Sequence, residues 1–291
     1  MAFAVINSDL SYWKKQSKPL FDDVLWNIPE QKTGHVSIIG GNSQNFSTVI
    51  RISEFMNQNF PIRTITTVLP DALRGKLPTL ANLDFTPSTT SGSFAKSHAL
   101  NIALNSPDAC LLIGDLSRNS ATAIAITDAI KSSFDNETSN FSPSAKTPTS
   151  PQDPSSFKPL IIARDSVDLL NPEGSSWLTR PQTFIIASMA QLQKLFRAIY
   201  YPRMIMLTQP LIPILETLHK FTLTYPVTIL TLHQENIIVA NAGQIITTNL
   251  HDTSYSPLSL WSGQLAARVL ALNLFNPKHP LEATSTAILQ N

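Results

Sequence analysis

Close to the C-terminus the sequence reads Ser262-Gly263-Gln264 at the head of the apolar run LAARVLALNLF. A small-residue turn feeding a helix leaves backbone N–H groups without intrahelical acceptors and gathers the positive end of the helix dipole there. That is an anion site. The side chain placed beside it is the neutral amide of Gln264, which has no accessible pKa for taking up a proton. A second candidate is IIGGNSQNFST, where Gly40, Gly41 and Asn42 lead from a strand towards a helix. It reads either as a cradle for a phosphate or ribose or as a plain strand-to-helix turn. Asp115, with Arg118 and Asp128 downstream, suits a ligand or a helix cap. Asp165 follows PLIIAR; a carboxylate at the C-terminal end of a strand faces the ligand crevice of an α/β sheet or caps a turn.

Other chemistries find no support. The histidines, His35, His98, His219, His233, His251 and His279, have no metal-ligand spacing, and the sequence has one cysteine and no HExxH. No metal site is expected. Neither a GxxxxGK(S/T) phosphate loop, a GxGxxG fingerprint nor a GxSxG elbow occurs. Trp26, Trp177 and Trp261 read as packing or rim residues. A net charge of +1 without a basic block gives no stripe for displacing counterions from nucleic acid, so no nucleic-acid partner is expected. No apolar run is long enough to span a bilayer, and MAFAVINSDLSYWKKQSKPL has no basic region ahead of its short apolar stretch, so neither membrane span nor signal peptide is expected. The lone Cys110 excludes an intrachain disulfide and fits a reducing cytoplasm.

These residues need a scaffold, and its elements are legible. HVSIIGG is an apolar strand ending in a glycine turn, FSTVIRISEFMNQ has helical spacing, and RTITTVL is a strand. A helix near 95–105, the strand CLLIG and the helix NSATAIAITDAIKSS follow. PLIIA and TFIIA are short buried strands; MAQLQKLFRAIYY and PLIPILETLHKFT are helices; VTILTL is a strand. NIIVA and QIITTNL, joined through Asn241-Ala242-Gly243, form a hairpin, and two helices close the chain. Alternating apolar strands and helices predict a three-layer α/β/α sandwich, its sheet mostly parallel with an antiparallel edge. Cys110, Ile161 and Ile185 are expected in its central strands. Residues 132–158, rich in Ser, Thr and Pro, are expected as a mobile or disordered surface insertion within a single domain spanning 1–291.

In this order the pieces resemble the ADP/ATP-dependent NAD(P)H-hydrate dehydratases of the ribokinase-like superfamily, from about Trp13 to the end apart from the insertion. GHVSIIGGNSQNFST is similar to the family's opening strand and glycine loop, and LLIGDLSRN to its GPGLGRD-like turn. PLIIARDSVDLL parallels PLVIDADALNLL, and RPQTFIIASMAQLQKL parallels RPATVLTPHPGEFARL. VTILTLHQENIIVANAGQ falls on the strand and hairpin carrying KGxxT, and SPLSLWSGQLAARVLAL on MATGGSGDVLAGIIAAL. The resemblance implies a ribokinase-like fold and a repair reaction. A nucleotide phosphorylates the hydroxyl of a hydrated nicotinamide cofactor, and loss of phosphate restores the cofactor. In the family the GSGD turn supplies both the phosphate cradle and the aspartate that handles the proton.

The sequence departs from that pattern where the chemistry lies. Gln264 stands at the aspartate of GSGD and Trp261 at a glycine ahead of it. Leu232-His233 replaces KG, while Asn236 keeps a polar group at the threonine position. Ser188 and Gln191 replace the histidine and glutamate of TPHPGE, Ala163 the first aspartate of DADAL, and Asp115 and Ser117 two glycines of GPGLG. Glycine is 9 of 291 residues, about 3%, well under the usual 7% or so, and a site built on backbone cradling of phosphates needs it. The expectation is a non-catalytic or strongly impaired protein that retains binding of a nucleotide (ADP or ATP, Mg2+ with ATP) or an NAD(P)H-type ligand. The competing expectations are a rewired dehydratase or small-molecule kinase relying on Asp165 or Asp115, and a structural or partner-binding protein without a ligand. A homo-oligomer is compatible with each. Gly40, Gly41, Asn42, Asp115, Asp165 and Gly263 are expected to line one cleft, with Arg118, Asn236 and Ser262 as further ligand contacts.

Overall fold

A computed structural model describes residues 10–17, 21–77, 82–139, 154–170 and 175–289. The strands are β1 (Trp13–Gln16), β2 (Thr33–Gly40), β3 (Ile62–Pro70), β4 (Leu83–Thr86), β5 (Ala109–Gly114), β6 (Leu160–Ala163), β7 (Thr183–Ile186), β8 (Val227–His233), β9 (Asn236–Asn241) and β10 (Gln244–Asn249). The helices are α1 (Asp22–Trp26), α2 (Ser47–Asn59), α3 (His98–Asn105), α4 (Ser120–Ser139), α5 (Asp165–Leu170), α6 (Met189–Ala198), α7 (Leu211–Thr224), α8 (Gln264–Phe275) and α9 (Pro280–Leu289).

The strands form one sheet in the order β1-β10-β9-β8-β7-β6-β5-β2-β3-β4. From β8 across to β4 every pairing is parallel. Among the described strands only β9 runs against its neighbours, third from the opposite edge, where β1 adds in parallel outside β10. The β9–β10 turn holds Ala242 at φ 46 and Gly243 at φ 76. Two consecutive left-handed residues match the twist of a tight hairpin.

Alternate residues of each central strand enter opposite cores, because successive side chains point to opposite faces of a sheet. Cys110, Leu112, Ile162, Ile185 and Ile229 pack with α3–α7. Leu111, Ile113, Ile161, Phe184 and Leu230 pack with α1, α2, α8 and α9. The layers are therefore helix, sheet, helix, with both sheet faces covered, which is why these strands read as unbroken apolar runs. Cys110, Ile161 and Ile185 lie in this core, and burial pushes the Cys110 thiol up to about 12.

Of the stretch 132–158, the first part continues α4 as far as Ser139, and Phe157 is buried beside β6. The rest of the stretch expected as an insertion, 140–153, lies outside the described residues.

Candidate functional site

The chain runs outward from β2 through β3 to β4, then returns to lay β5 on the other side of β2 and runs the opposite way through β6, β7 and β8. The C-terminal ends of β2 and β5 thus flank a topological switch point, where an open α/β sheet leaves a crevice. Gly40 ends β2 and Gly114 ends β5. A Cβ at Gly40 would stand 2.7 Å from the Gly114 carbonyl oxygen, so the strands meet there only because Gly40 has none. The Gly41 N–H donates to that carbonyl at 2.9 Å.

From this join a hydrogen-bonded chain runs along the rim. Asn42 Nδ2 donates to the Asp115 carbonyl at 2.6 Å, while Asn42 Oδ1 accepts the N–H groups of Gln44 and Asn45 at 2.8 and 3.1 Å. The Asp115 N–H donates to Asp165 Oδ1 at 2.9 Å, and Arg164 Nη2 reaches Asp115 Oδ1 at 3.4 Å. Asp168 Oδ1 pairs with Lys194 at 2.7 Å and its Oδ2 accepts Gln191 Nε2 at 2.9 Å. Gln191 Nε2 also reaches the Arg164 carbonyl at 2.7 Å. The second oxygen of Asp165 has no partner among the described residues.

Two open cavities adjoin these groups. One, of about 510 Å³, is lined by Asp115, Arg164, Ser188, Gln191 and Trp261. The other, of about 600 Å³, is lined by Ser117, Arg118, Asn119, Ala123 and Leu169. Asp165, Asp168 and Lys194 line both and form the ridge between them. Helix α8 begins on the other side of the same rim. Its N-cap is Gly263 at φ 101, with no side chain capping the helix. A Cβ there would come within 3.0 Å of Ile113 and 3.2 Å of Ile52, so the helix start is pressed onto the end of β5. Ser262 Oγ accepts the Gln264 N–H at 3.4 Å, and the Gln264 side chain is exposed.

Several residues anticipated from the sequence meet here. Asp115 and Asp165 are bonded to each other and line the first cavity; Trp261, two residues before Gly263, lines it with them. Arg118 lines the second. Gly40, Gly41 and Asn42 line neither cavity but build the loop that holds Asp115. Asn236 is set apart from both. It opens β9 opposite His233, on the same rim but three strands from β6, or about 14 Å at the usual strand spacing. Asp128 lies two turns along α4, paired with Lys96. Arg164, Asp168 and Lys194 were not anticipated. The one signal for Asp168 was its i,i+3 spacing from Asp165, which puts both carboxylates on one side of α5.

Among the described residues no helix is long and apolar enough to cross a membrane, and no group of three His, Cys, Asp or Glu side chains is placed to hold a metal ion.

No protein-family model matches the sequence, and no curated protein matches it. Solved structures do. A ribokinase-like superfamily protein from Enterococcus faecalis superimposes with a TM-score of 0.60 at 14% identity, over 95% of this chain and 86% of that one. The fold is ribokinase-like. A Streptococcus mutans protein matches this chain with a TM-score of 0.58 at 15% identity, over 93% of this chain and 87% of that one. The ADP/ATP-dependent NAD(P)H-hydrate dehydratase of Bacillus subtilis, co-crystallised with ATP and Mg2+, matches with a TM-score of 0.54 at 13% identity, over 92% and 84%. At these identities the likeness is one of fold.

Proposed function

We propose that this ribokinase-like protein is a relative of the NAD(P)H-hydrate dehydratases whose catalytic chemistry is lost or strongly impaired and whose rim cleft still receives a small ligand. The observation that carries the reading is the backbone of the turn after β5. Asp115 and Ser117 stand where the resemblance puts glycines, and both have φ 57. A left-handed conformation costs an L-residue roughly 1–2 kcal/mol, less for Asp, and glycine nothing. A turn shaped for glycine is thus kept while the glycines are gone. Gly263 keeps its left-handed φ at the start of α8, beside the replaced residues Trp261 and Gln264.

The replaced groups are those the reaction needs. Gln264 offers an amide where a general base must take a proton, and losing such a base typically costs a factor of roughly 10²–10⁴. Leu232 brings no charge for a transferring phosphoryl group. A phosphate would meet the α8 start at the exposed Gln264, whose N–H has only the long Ser262 contact, while Leu265 and Ala266 behind it are buried. ADP or ATP would bring the phosphoryl chemistry of the family, with Mg2+ arriving on the ATP. An NAD(P)H-type ligand would set its ring near Trp261.

A second reading, a rewired enzyme, draws on Asp165, whose unpartnered oxygen sits on the ridge of both cavities. One assay separates the two: recovery of NADH absorbance from hydrated NADH with ADP or with ATP/Mg2+. Little or no recovery is expected for the wild type, and Gln264→Asp is expected not to restore it while Trp261 remains. Robust wild-type turnover would overturn the impaired reading, and its loss in Asp165→Asn would move the proton-handling role to Asp165.

A further inference from the structure

The second cavity of the rim, about 600 Å³, is balanced in charge but not in pairing. Among the described residues its lining holds two cations, Arg118 and Lys194, and two carboxylates, Asp165 and Asp168. Lys194 and Asp168 pair with each other at 2.7 Å, and Gln191 takes the second Asp168 oxygen. One group of each sign is left over. Arg118 is exposed and has no partner among the described residues, and Asp165 has one oxygen on the Asp115 N–H and the other free. The two stand on separate elements, Arg118 in the turn between β5 and α4 and Asp165 at the start of α5 after the neighbouring strand β6. Asp165 is firmly seated. Its Oδ1 occupies the space that a Cβ at Gly114 would fill, so that one oxygen holds the carboxylate against the end of β5. Arg118 lies two residues ahead of Ser120, the first residue of α4, so the positive end of that 20-residue helix reinforces it. The Ala121 N–H there is already capped by Asn119 Oδ1 at 2.9 Å. Next to Arg118, Ser117 Oγ is buried without an acceptor. The β5–α4 side of the cavity therefore offers donors and positive charge, and the α5 side an anionic acceptor. Ala123 from α4 and Leu169 from α5 add apolar surface.

A ligand bearing only an anion would leave Asp165 unmatched, and one bearing only a cation would leave Arg118 unmatched. A chain of phosphates would bring several negative charges to a single free guanidinium. Resting on the reading that the rim cleft receives a small ligand, we infer that the second cavity takes a zwitterion, a free α-amino acid with an apolar side chain. Its ammonium group donates to Asp165, its carboxylate lies on Arg118, and its side chain packs on Ala123 and Leu169. A guanidinium suits a carboxylate, since its parallel N–H groups match the two oxygens. Both charges of the ligand are needed, because a molecule that lacks one leaves the opposing side chain desolvated and unpaired.

Isothermal titration of the full chain at neutral pH tests this, with L-leucine, with N-acetyl-leucine, which has no ammonium group, with leucinamide, which has no carboxylate, and with ATP. Leucine is expected to bind about tenfold or more tightly than either blocked form. Arg118→Ala is expected to weaken leucine about tenfold and to leave leucinamide unchanged. Asp165→Asn keeps an oxygen for the Asp115 N–H, and is expected to weaken leucine about tenfold while N-acetyl-leucine is unchanged. A thermal melt of each variant checks the fold, and Arg118→Ala is expected to melt like the wild type because the side chain is exposed and unpaired. A blocked form binding as tightly as leucine, or leucine affinity unmoved by both substitutions, would overturn the inference. ATP binding while leucine does not bind would also overturn it and leave the rim cleft a ligand site. No binding of leucine, its derivatives or ATP to protein that melts cooperatively would remove the cleft reading and the inference together.

Discussion

Helices α6 and α8 both begin on the C-terminal rim of the sheet, and both carry replacements for residues of the family's motifs. At α6 the replacements close the helix start. Ser188 Oγ accepts the Gln191 N–H at 3.3 Å, and Gln191 Oε1 accepts the Ser188 N–H at 3.0 Å, a reciprocal capping box. The same Gln191 ties α6 to the turn after β6 through the Arg164 carbonyl and Asp168. At α8 the N-cap is a glycine and the replacement, Gln264, points into solvent. One start satisfies itself with its own side chains; the other is buried against β5 with no side-chain cap beyond the long Ser262 contact. The two departures from the family's motifs therefore do different things: Ser188 and Gln191 are absorbed into structure, and Gln264 is left in solvent.

The contrast can be broken from either side. Gly263→Val should have the largest effect. A β-branched side chain at φ 101, with Ile113 and Ile52 within 3.2 Å of its Cβ, is expected to cost about 2–4 kcal/mol in a denaturant or thermal melt. An open start that tolerated it would not be pressed on β5 as described. Gln191→Ala comes next. It removes half the capping box and the link to Arg164 and Asp168, and about 1–2 kcal/mol of stability is expected to go. Gln264→Ala should be the mildest, within about 0.5 kcal/mol by thermal melt, because an exposed residue with no side-chain partner holds nothing together. If Gln264→Ala proved as damaging as Gln191→Ala, the two helix starts would not differ in kind.

The same contrast explains what was legible in the sequence. CLLIG, PLIIA and TFIIA announce themselves because both faces of the sheet are covered, and the resulting runs have no polar interruption. β1 and β4 do not. WKKQ and LDFT are four-residue edge strands, and a strand paired on one side needs neither length nor alternation. On the rim, Asp115 and Asp165 could be found because they follow recognisable strands. Arg164 and Lys194 could not, since a cation's role here depends on which carboxylate lies across the gap, and pairs far apart in sequence leave no local pattern. Ser188 and Gln191 did carry a signal, the S-x-x-Q spacing of a capping box. Viewed as two departures from a catalytic motif, they conceal the bond they make with each other.

The outermost strand has a consequence for how this chain is made. β1 pairs with β10, and Trp13 Nε1 donates to Thr247 Oγ1 across 234 positions of sequence. At a synthesis rate of roughly 5–20 residues per second, β1 leaves the ribosome on the order of 10–50 s before its partner exists. Through that interval a short strand with two lysines, Lys14 and Lys15, has to wait in solvent, and its charge keeps it from pairing with the wrong edge. That edge of the sheet is closed by a strand that can pair only once β10 has been made.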